Sequence, residues 1–111
     1  MIKVANCTQE EFVRRISAGK VICFGAGEKF IELYERCSLE DRVPYVVDNY
    51  KSGTEIQIRD RKIPVRSITE LDHEADHAIL VVTSTRYALP ILRQLDSCER
   101  LHHHLVFYPY D

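Results

Sequence analysis

The chain has 111 residues, 45% of them hydrophobic and 29% charged, with a formal net charge of −2; this is the length and composition of one soluble globular domain. So small a net charge argues against a nucleic-acid surface or a polybasic membrane patch, both of which need a basic field. No apolar run approaches the roughly 18 residues of a membrane span, the N-terminus lacks the apolar stretch of a secretory signal, and Cys7, Cys23, Cys37 and Cys98 show no C-x-x-C spacing, so zinc ribbons and thioredoxin-like chemistry are disfavoured and a reducing, cytoplasmic setting is expected.

Thr8 and Glu11 have the spacing of a capping box. Phe12, Val13 and Ile16 follow as an apolar stripe, which predicts a helix over about 9–18 with Gly19 as its C′ residue. Lys20 to Gly25 reads as a strand, and its run Val21 to Phe24 is continuously apolar rather than alternating, as expected of a strand covered on both faces. Gly25-Ala26-Gly27 follows at once. Phe30, Leu33, Tyr34 and Cys37 then recur at helical spacing, predicting a helix over 27–38. Cys23 and Cys37 fall on core faces as buried thiols.

Pro44 to Asp48 reads as a second strand that ends in an acid. Segments 55–58 and 62–65 read as short extended pieces that can pair as a hairpin, with Pro64 expected at an edge. Ser67 and Glu70 again have capping-box spacing. Ala78 to Ser84 is the strongest strand. Pro90 suits the first turn of a helix whose inner face is Ile91, Leu92 and Leu95, and His104 to Tyr108 is a last strand.

Strands and helices alternate at βαβ spacing. The expectation is an α/β domain, Rossmann-like and doubly wound, with a mostly parallel five-stranded sheet in the order 3-2-1-4-5 and helices on both faces. The whole chain, 1–111, is read as that single domain. No closing helix follows Phe107-Tyr-Pro-Tyr-Asp111, so a module excised from a longer enzyme is as good a reading as a small complete protein.

Five groups of residues are candidates for chemistry in such a fold. The glycine turn stands between a strand and a helix, where free amides and the helix dipole favour a phosphate. Asp48 lies about 20 residues beyond it, the spacing of the ribose-binding acid in dinucleotide folds. Phe30 stands where the third glycine of G-x-G-x-x-G belongs, so the alternative is a tight turn without a ligand. Thr83-Ser84-Thr85-Arg86-Tyr87 closes the strongest strand beside the expected crevice. The Ser84 and Thr85 hydroxyls can donate to a diphosphate and Arg86 can pair with it, or Ser84 or Thr85 caps a helix and Arg86 is solvated. In Asp48-Asn49-Tyr50-Lys51, Asp48 and Asn49 can read ribose or a uracil edge and Lys51 can meet a phosphate, or the stretch is a polar turn. His73-Glu-Ala-Asp-His77 matches the H-E-x-x-H zinc pattern, but His77 abuts a strand, so a solvated loop is expected there. His102-His103-His104 would be split between the faces of a strand. No metal site and no catalytic residue are assigned. There is no Tyr-x-x-x-Lys pair, no G-x-S-x-G elbow and no P-loop.

Phe24-Gly-Ala-Gly-Glu28, Leu33-Tyr34-Glu35, Val46-Val-Asp-Asn49, Ile63-Pro-Val65 with Ser67 and Glu70-Leu71, and Val81-Val-Thr-Ser84 together resemble a Rossmann-like module of bacterial polysaccharide-biosynthesis and sugar-modifying proteins. The stretch is similar to the N-terminal domain of hexapeptide-repeat sugar N-acetyltransferases and to domains appended to sugar methyltransferases and glycosyltransferases. It covers residues 20–98. The resemblance implies a nucleotide-sugar ligand, with Gly25, Ala26 and Gly27 toward the diphosphate, Asp48 and Asn49 near ribose or base, and Thr83 and Ser84 on the other wall; Glu28 and Arg86 are counted beside them as candidate site residues. It also implies that the acetyl-transfer histidine lies in repeats this chain lacks.

The expected function is a nucleotide-binding module for a nucleoside-diphosphate sugar that serves a transferase, with a catalytic domain or subunit as partner. An NAD(P)-dependent sugar oxidoreductase's cofactor domain, or a non-binding scaffold used for assembly, are the alternatives. A Phe30 ring filling the hollow, or the amides of 25–27 bonded internally, would collapse the binding reading and leave only the architecture.

Overall fold

Val21–Phe24 is buried along its whole length, and its side chains alternate between two separate cores. A computed structural model describes residues 1–16 and 19–109 of the chain. In chain order its elements are β1 (Lys3–Cys7), α1 (Gln9–Arg15), β2 (Val21–Phe24), α2 (Glu28–Arg36), β3 (Val46–Val47), β4 (Glu55–Ile58), β5 (Arg61–Arg66), α3 (His73–His77), β6 (Ile79–Val82), α4 (Ala88–Asp96) and β7 (Leu105–Pro109). Single 3-10 turns stand at Ile68–Glu70 and Glu99–Leu101.

The strands form one seven-stranded sheet in the order β1-β7-β6-β2-β3-β5-β4. Every pairing is parallel except that of β4 with β5. On one face Val21, Cys23, Val46, Val65, Val81 and Phe107 meet Phe12 of α1 and Phe30, Leu33 and Tyr34 of α2. On the other, Ile22, Phe24, Val47, Leu80, Val82 and Val106 meet Ala75 of α3 and Ala88, Ile91 and Leu95 of α4. The protein is therefore α/β, with helices on both faces of a mostly parallel sheet. No helix among the described residues is long and apolar enough to cross a membrane.

The expected five strands and the order 3-2-1-4-5 are corrected by this sheet. The N-terminal segment forms β1, an edge strand parallel to β7 with Lys3 opposite Leu105 and Cys7 opposite Pro109. Its inward residues are the small Ala5 and Cys7, which leave little hydrophobic pattern to read. Pro64 is also misplaced by the edge expectation. It lies in β5, which has β4 on one side and β3 on the other. The missing amide is tolerated because pairing with β3 begins only at Val65.

Both capping boxes form: Glu11 N–H donates to Thr8 Oγ1 at 3.1 Å, and Ser67 N–H donates to Glu70 Oε1 at 2.9 Å. α1 is shorter than the 9–18 expected. Ile16 is already extended, at φ −79 and ψ 135, so Gly19 is not its C′ residue; positions 17–18 of that expectation lie outside the described residues. The helix expected over 27–38 is α2, and Cys23 and Cys37 are buried. Burial pushes the Cys23 thiol far above its usual pKa, so it stays a neutral packing group.

Candidate functional site

Three loops leave the carboxyl ends of β2, β3 and β6 and enclose one cleft of about 740 Å³. β2 sits between β3 and β6. The chain passes from β2 to one side of the sheet and later returns on the other, and such a reversal opens a crevice at the strand ends. Gly25, Ala26, Gly27, Glu28, Asp48, Asn49, Thr83, Ser84 and Arg86 all line it.

The two glycines of the turn are there for different reasons. Gly25 has φ +127, and a Cβ on it would lie 2.9 Å from the Thr83 carbonyl oxygen. Only glycine lets β2 end so close to β6. Thr83 completes that seam. Its amide donates to the Phe24 carbonyl at 3.0 Å, and its buried hydroxyl donates to the Gly25 carbonyl at 2.6 Å. Gly27, by contrast, has φ −105, and a Cβ on it would meet no heavy atom within 4 Å. Neither backbone conformation nor packing requires a glycine at 27.

Two of the three turn amides are bonded internally, the outcome set above against binding, which corrects the expectation for Gly25 and Ala26 and leaves only Gly27 of the turn open. Gly25 N–H donates to the Val47 carbonyl at 2.8 Å, continuing the sheet, and Ala26 N–H donates to Asp48 Oδ2 at 2.8 Å. Asp48 Oδ1 also accepts from the amides of Tyr50 at 2.8 Å and Lys51 at 3.0 Å. The acid that the spacing assigns to a ribose is thus a clamp that fastens the loop after β3 to the turn after β2. The amides of Gly27 and Glu28 have no partner among the described residues. They head the nine-residue helix α2, whose positive dipole end faces the same way.

Phe30 does not fill the hollow. Its ring is fully buried in the core beneath α2, 5.7 Å from that of Tyr34. A side chain larger than glycine is accommodated because α2 rests on the sheet through Phe30, Leu33 and Tyr34.

Ser84 accepts from the Tyr87 amide at 3.0 Å and so shapes the turn before α4; the N-cap of α4 is Tyr87, with no side-chain cap, so the helix capping held open above for Ser84 or Thr85 does not form. Arg86 is exposed and lies over the Tyr87 ring, 5.3 Å from its centroid. Lys51 Nζ donates to the Ala26 carbonyl at 3.2 Å, at the floor of the cleft. Asn49 Nδ2 donates to Gln94 Oε1 at 2.9 Å, tying the loop after β3 to α4. Lys29 and Glu32 line the same cleft, and Glu32 is paired with Arg36 at 2.8 Å. Because charges of both signs are present, an anion here would depend on directed N–H groups and on Lys51 and Arg86 more than on a net field.

Tyr50, Tyr87 and Gln94 line the cleft and are absent from the residues chosen from sequence. The two tyrosines stood inside the polar segments already singled out, and an aromatic ring in a polar loop at a strand's carboxyl end was the available signal. Gln94 lies mid-helix and carries no such signal.

The histidine patterns lie elsewhere. His73 and His77 are both on α3, so the expected solvated loop is a five-residue helix. Asp76 between them is engaged by Arg100 at 3.0 Å. His104 precedes β7, and His102 Nε2 lies 3.1 Å from the Asp96 carbonyl. No group of three metal-ligating side chains occurs among the described residues.

The fold and cleft define an α/β protein with an open, mixed-charge crevice at the carboxyl edge of a parallel sheet. Comparisons with protein-family models, with curated proteins and with solved structures give no match.

Proposed function

We propose that this chain is a nucleotide-binding module, Rossmann-like in kind, whose ligand is a nucleoside-diphosphate sugar. The observation that carries the reading is Gly27. It is a glycine that the fold does not require, and it stands at the head of α2 with its own amide and that of Glu28 unpartnered beside the cleft. A glycine lets a ligand's diphosphate come close to the backbone, and the paired amides and helix dipole then hold it. Lys51 and Arg86 supply countercharge from the opposite loops. Asp48 and Thr83 act through the backbone, by keeping the three loops in register. In this reading the module positions its ligand for a catalytic domain or subunit of a sugar-modifying or polysaccharide-building transferase, in keeping with the resemblance of residues 20–98.

Titration calorimetry with UDP-, CDP- and dTDP-sugars and with NAD(P) tests the proposal. Saturable binding of a nucleotide-sugar, weakened at least about tenfold by Gly27→Val, supports it. Binding of NAD(P) alone would instead favour the cofactor domain of an oxidoreductase. Silence from every ligand would leave a scaffold for assembly.

A further inference from the structure

Two aromatic rings meet across the mouth of the cleft. Tyr50, on the loop after β3, and Tyr87, at the start of α4, have ring centroids 5.4 Å apart at an interplanar angle of 45°. Tyr50 is 78% exposed and Tyr87 39% exposed, so neither ring is held by the core. Large apolar rings left this open need a reason when they line a cavity. Beside them the Asn49–Gln94 bond joins two primary amides across the same opening. Each amide has a donor and an acceptor, and one bond between them leaves both kinds of group still available for a third partner.

We infer that Tyr50 and Tyr87 form a two-sided stacking clamp for the ligand's nucleobase, with the Asn49–Gln94 amides at the base edge. The role rests on the cleft being a nucleotide site. A flat aromatic base suits this better than a pyranose, because a base offers a π-face to both rings while a chair-shaped sugar carries axial groups. The rings stand too close, and too tilted, to admit a base as they are. Insertion needs a separation of roughly 6.8 Å, two base-stacking steps of about 3.4 Å. The clamp is therefore closed ring-on-ring, and base entry must spread it. Tyr50 can move to do so, because its ring is mostly in solvent while its amide stays fixed on Asp48. Stacking tolerates any base, so discrimination among bases falls to Asn49 and Gln94.

The test uses the full chain with UDP, CDP, dTDP, ADP and GDP, and with inorganic pyrophosphate as a ligand that lacks a base. The expected result is that Tyr50→Ala and Tyr87→Ala each weaken the best-bound nucleoside diphosphate about tenfold, within the range of base–aromatic stacking. Pyrophosphate affinity should be unchanged, and Tyr50→Phe should restore nucleotide binding. The chain has no tryptophan, so quenching of tyrosine fluorescence on nucleotide binding, lost in Tyr50→Ala, is a second readout. Nucleotide binding by the parent chain that both alanine variants retain would overturn the clamp and leave the proposed function standing. Equal weakening of pyrophosphate would also overturn it, since the tyrosines would then act on the loops rather than on a base. No binding of any nucleoside diphosphate by the parent chain would overturn both.

Discussion

Gly25 and Gly27 are two residues apart, and the structure gives them unequal responses to a methyl group. In Gly25→Ala the new Cβ falls 2.9 Å from the Thr83 carbonyl oxygen and 3.0 Å from the Ser84 Cβ. The first obstacle is backbone, held by the Thr83 amide and hydroxyl on Phe24 and Gly25, so it cannot turn aside as a side-chain tip would. Forcing the strand ends apart costs about 1–3 kcal/mol. Holding alanine at φ +127 costs roughly another 1–3 kcal/mol. A total of about 4 kcal/mol, the middle of the summed range, at about 4–8 °C per kcal/mol for a domain this size, lowers Tm by roughly 16–32 °C. Gly27→Ala meets no atom within 4 Å and keeps an ordinary extended backbone. The gain of about 0.4–1 kcal/mol from restricting the unfolded chain is offset by placing alanine at the N-cap of α2, where glycine is preferred, so the variant should stay within about 1 kcal/mol of the parent. Thermal unfolding followed by circular dichroism separates the two variants. Equal losses at both positions, or a Gly25→Ala variant within about 1 kcal/mol of the parent, would refute the assignment of fold to one glycine and access to the other.

Thr83→Val removes the hydroxyl that satisfies the Gly25 carbonyl; it should cost about 1–3 kcal/mol, and Thr83→Ser should recover most of it in urea melts. Three carboxyls also make stability depend on pH. Burial tends to raise Asp72, but hydrogen bonds from the Glu74 amide, the Tyr45 hydroxyl and Arg66 outweigh it and hold the group below its usual 3.8. The Arg100 hydrogen bond does the same for Asp76, and the Ser67 amide holds Glu70 below 4.5. A carboxyl with a folded pKa below its unfolded value stabilises the fold above the unfolded value and loses that contribution as pH falls through the folded one. Urea midpoints should thus be insensitive to these groups above about pH 5 and fall below it. Asp76→Asn should flatten the decline, and an unchanged slope would remove the Arg100 pair from the account.

Strand β2 and helix α2 were legible because a continuous apolar run and a 3.6-residue stripe are strong signals, and both capping boxes could be read from two residues each. The nine chosen site residues share one cleft because strand ends and turns place them there. Their roles were less legible. Sequence spacing locates Asp48 at the end of β3, but not that three backbone amides would converge on its carboxylate. Thr83 likewise reads as a ligand hydroxyl until the approach of β2 and β6 brings the Gly25 carbonyl within 2.6 Å. The strand β1 was missed because its inward residues are small and its pairing partner, β7, lies at the far end of the chain.

The central claim is that the Gly27 and Glu28 amides receive the ligand's diphosphate, and amide-resolved NMR tests it most directly. The chain has only four glycines, so their signals can be assigned with little overlap. On titration with UDP-sugar, the Gly27 and Glu28 resonances should move saturably and together, while those of Gly19 and Gly53 stay in place. A titration in which a nucleotide-sugar leaves Gly27 and Glu28 unmoved would contradict the claim.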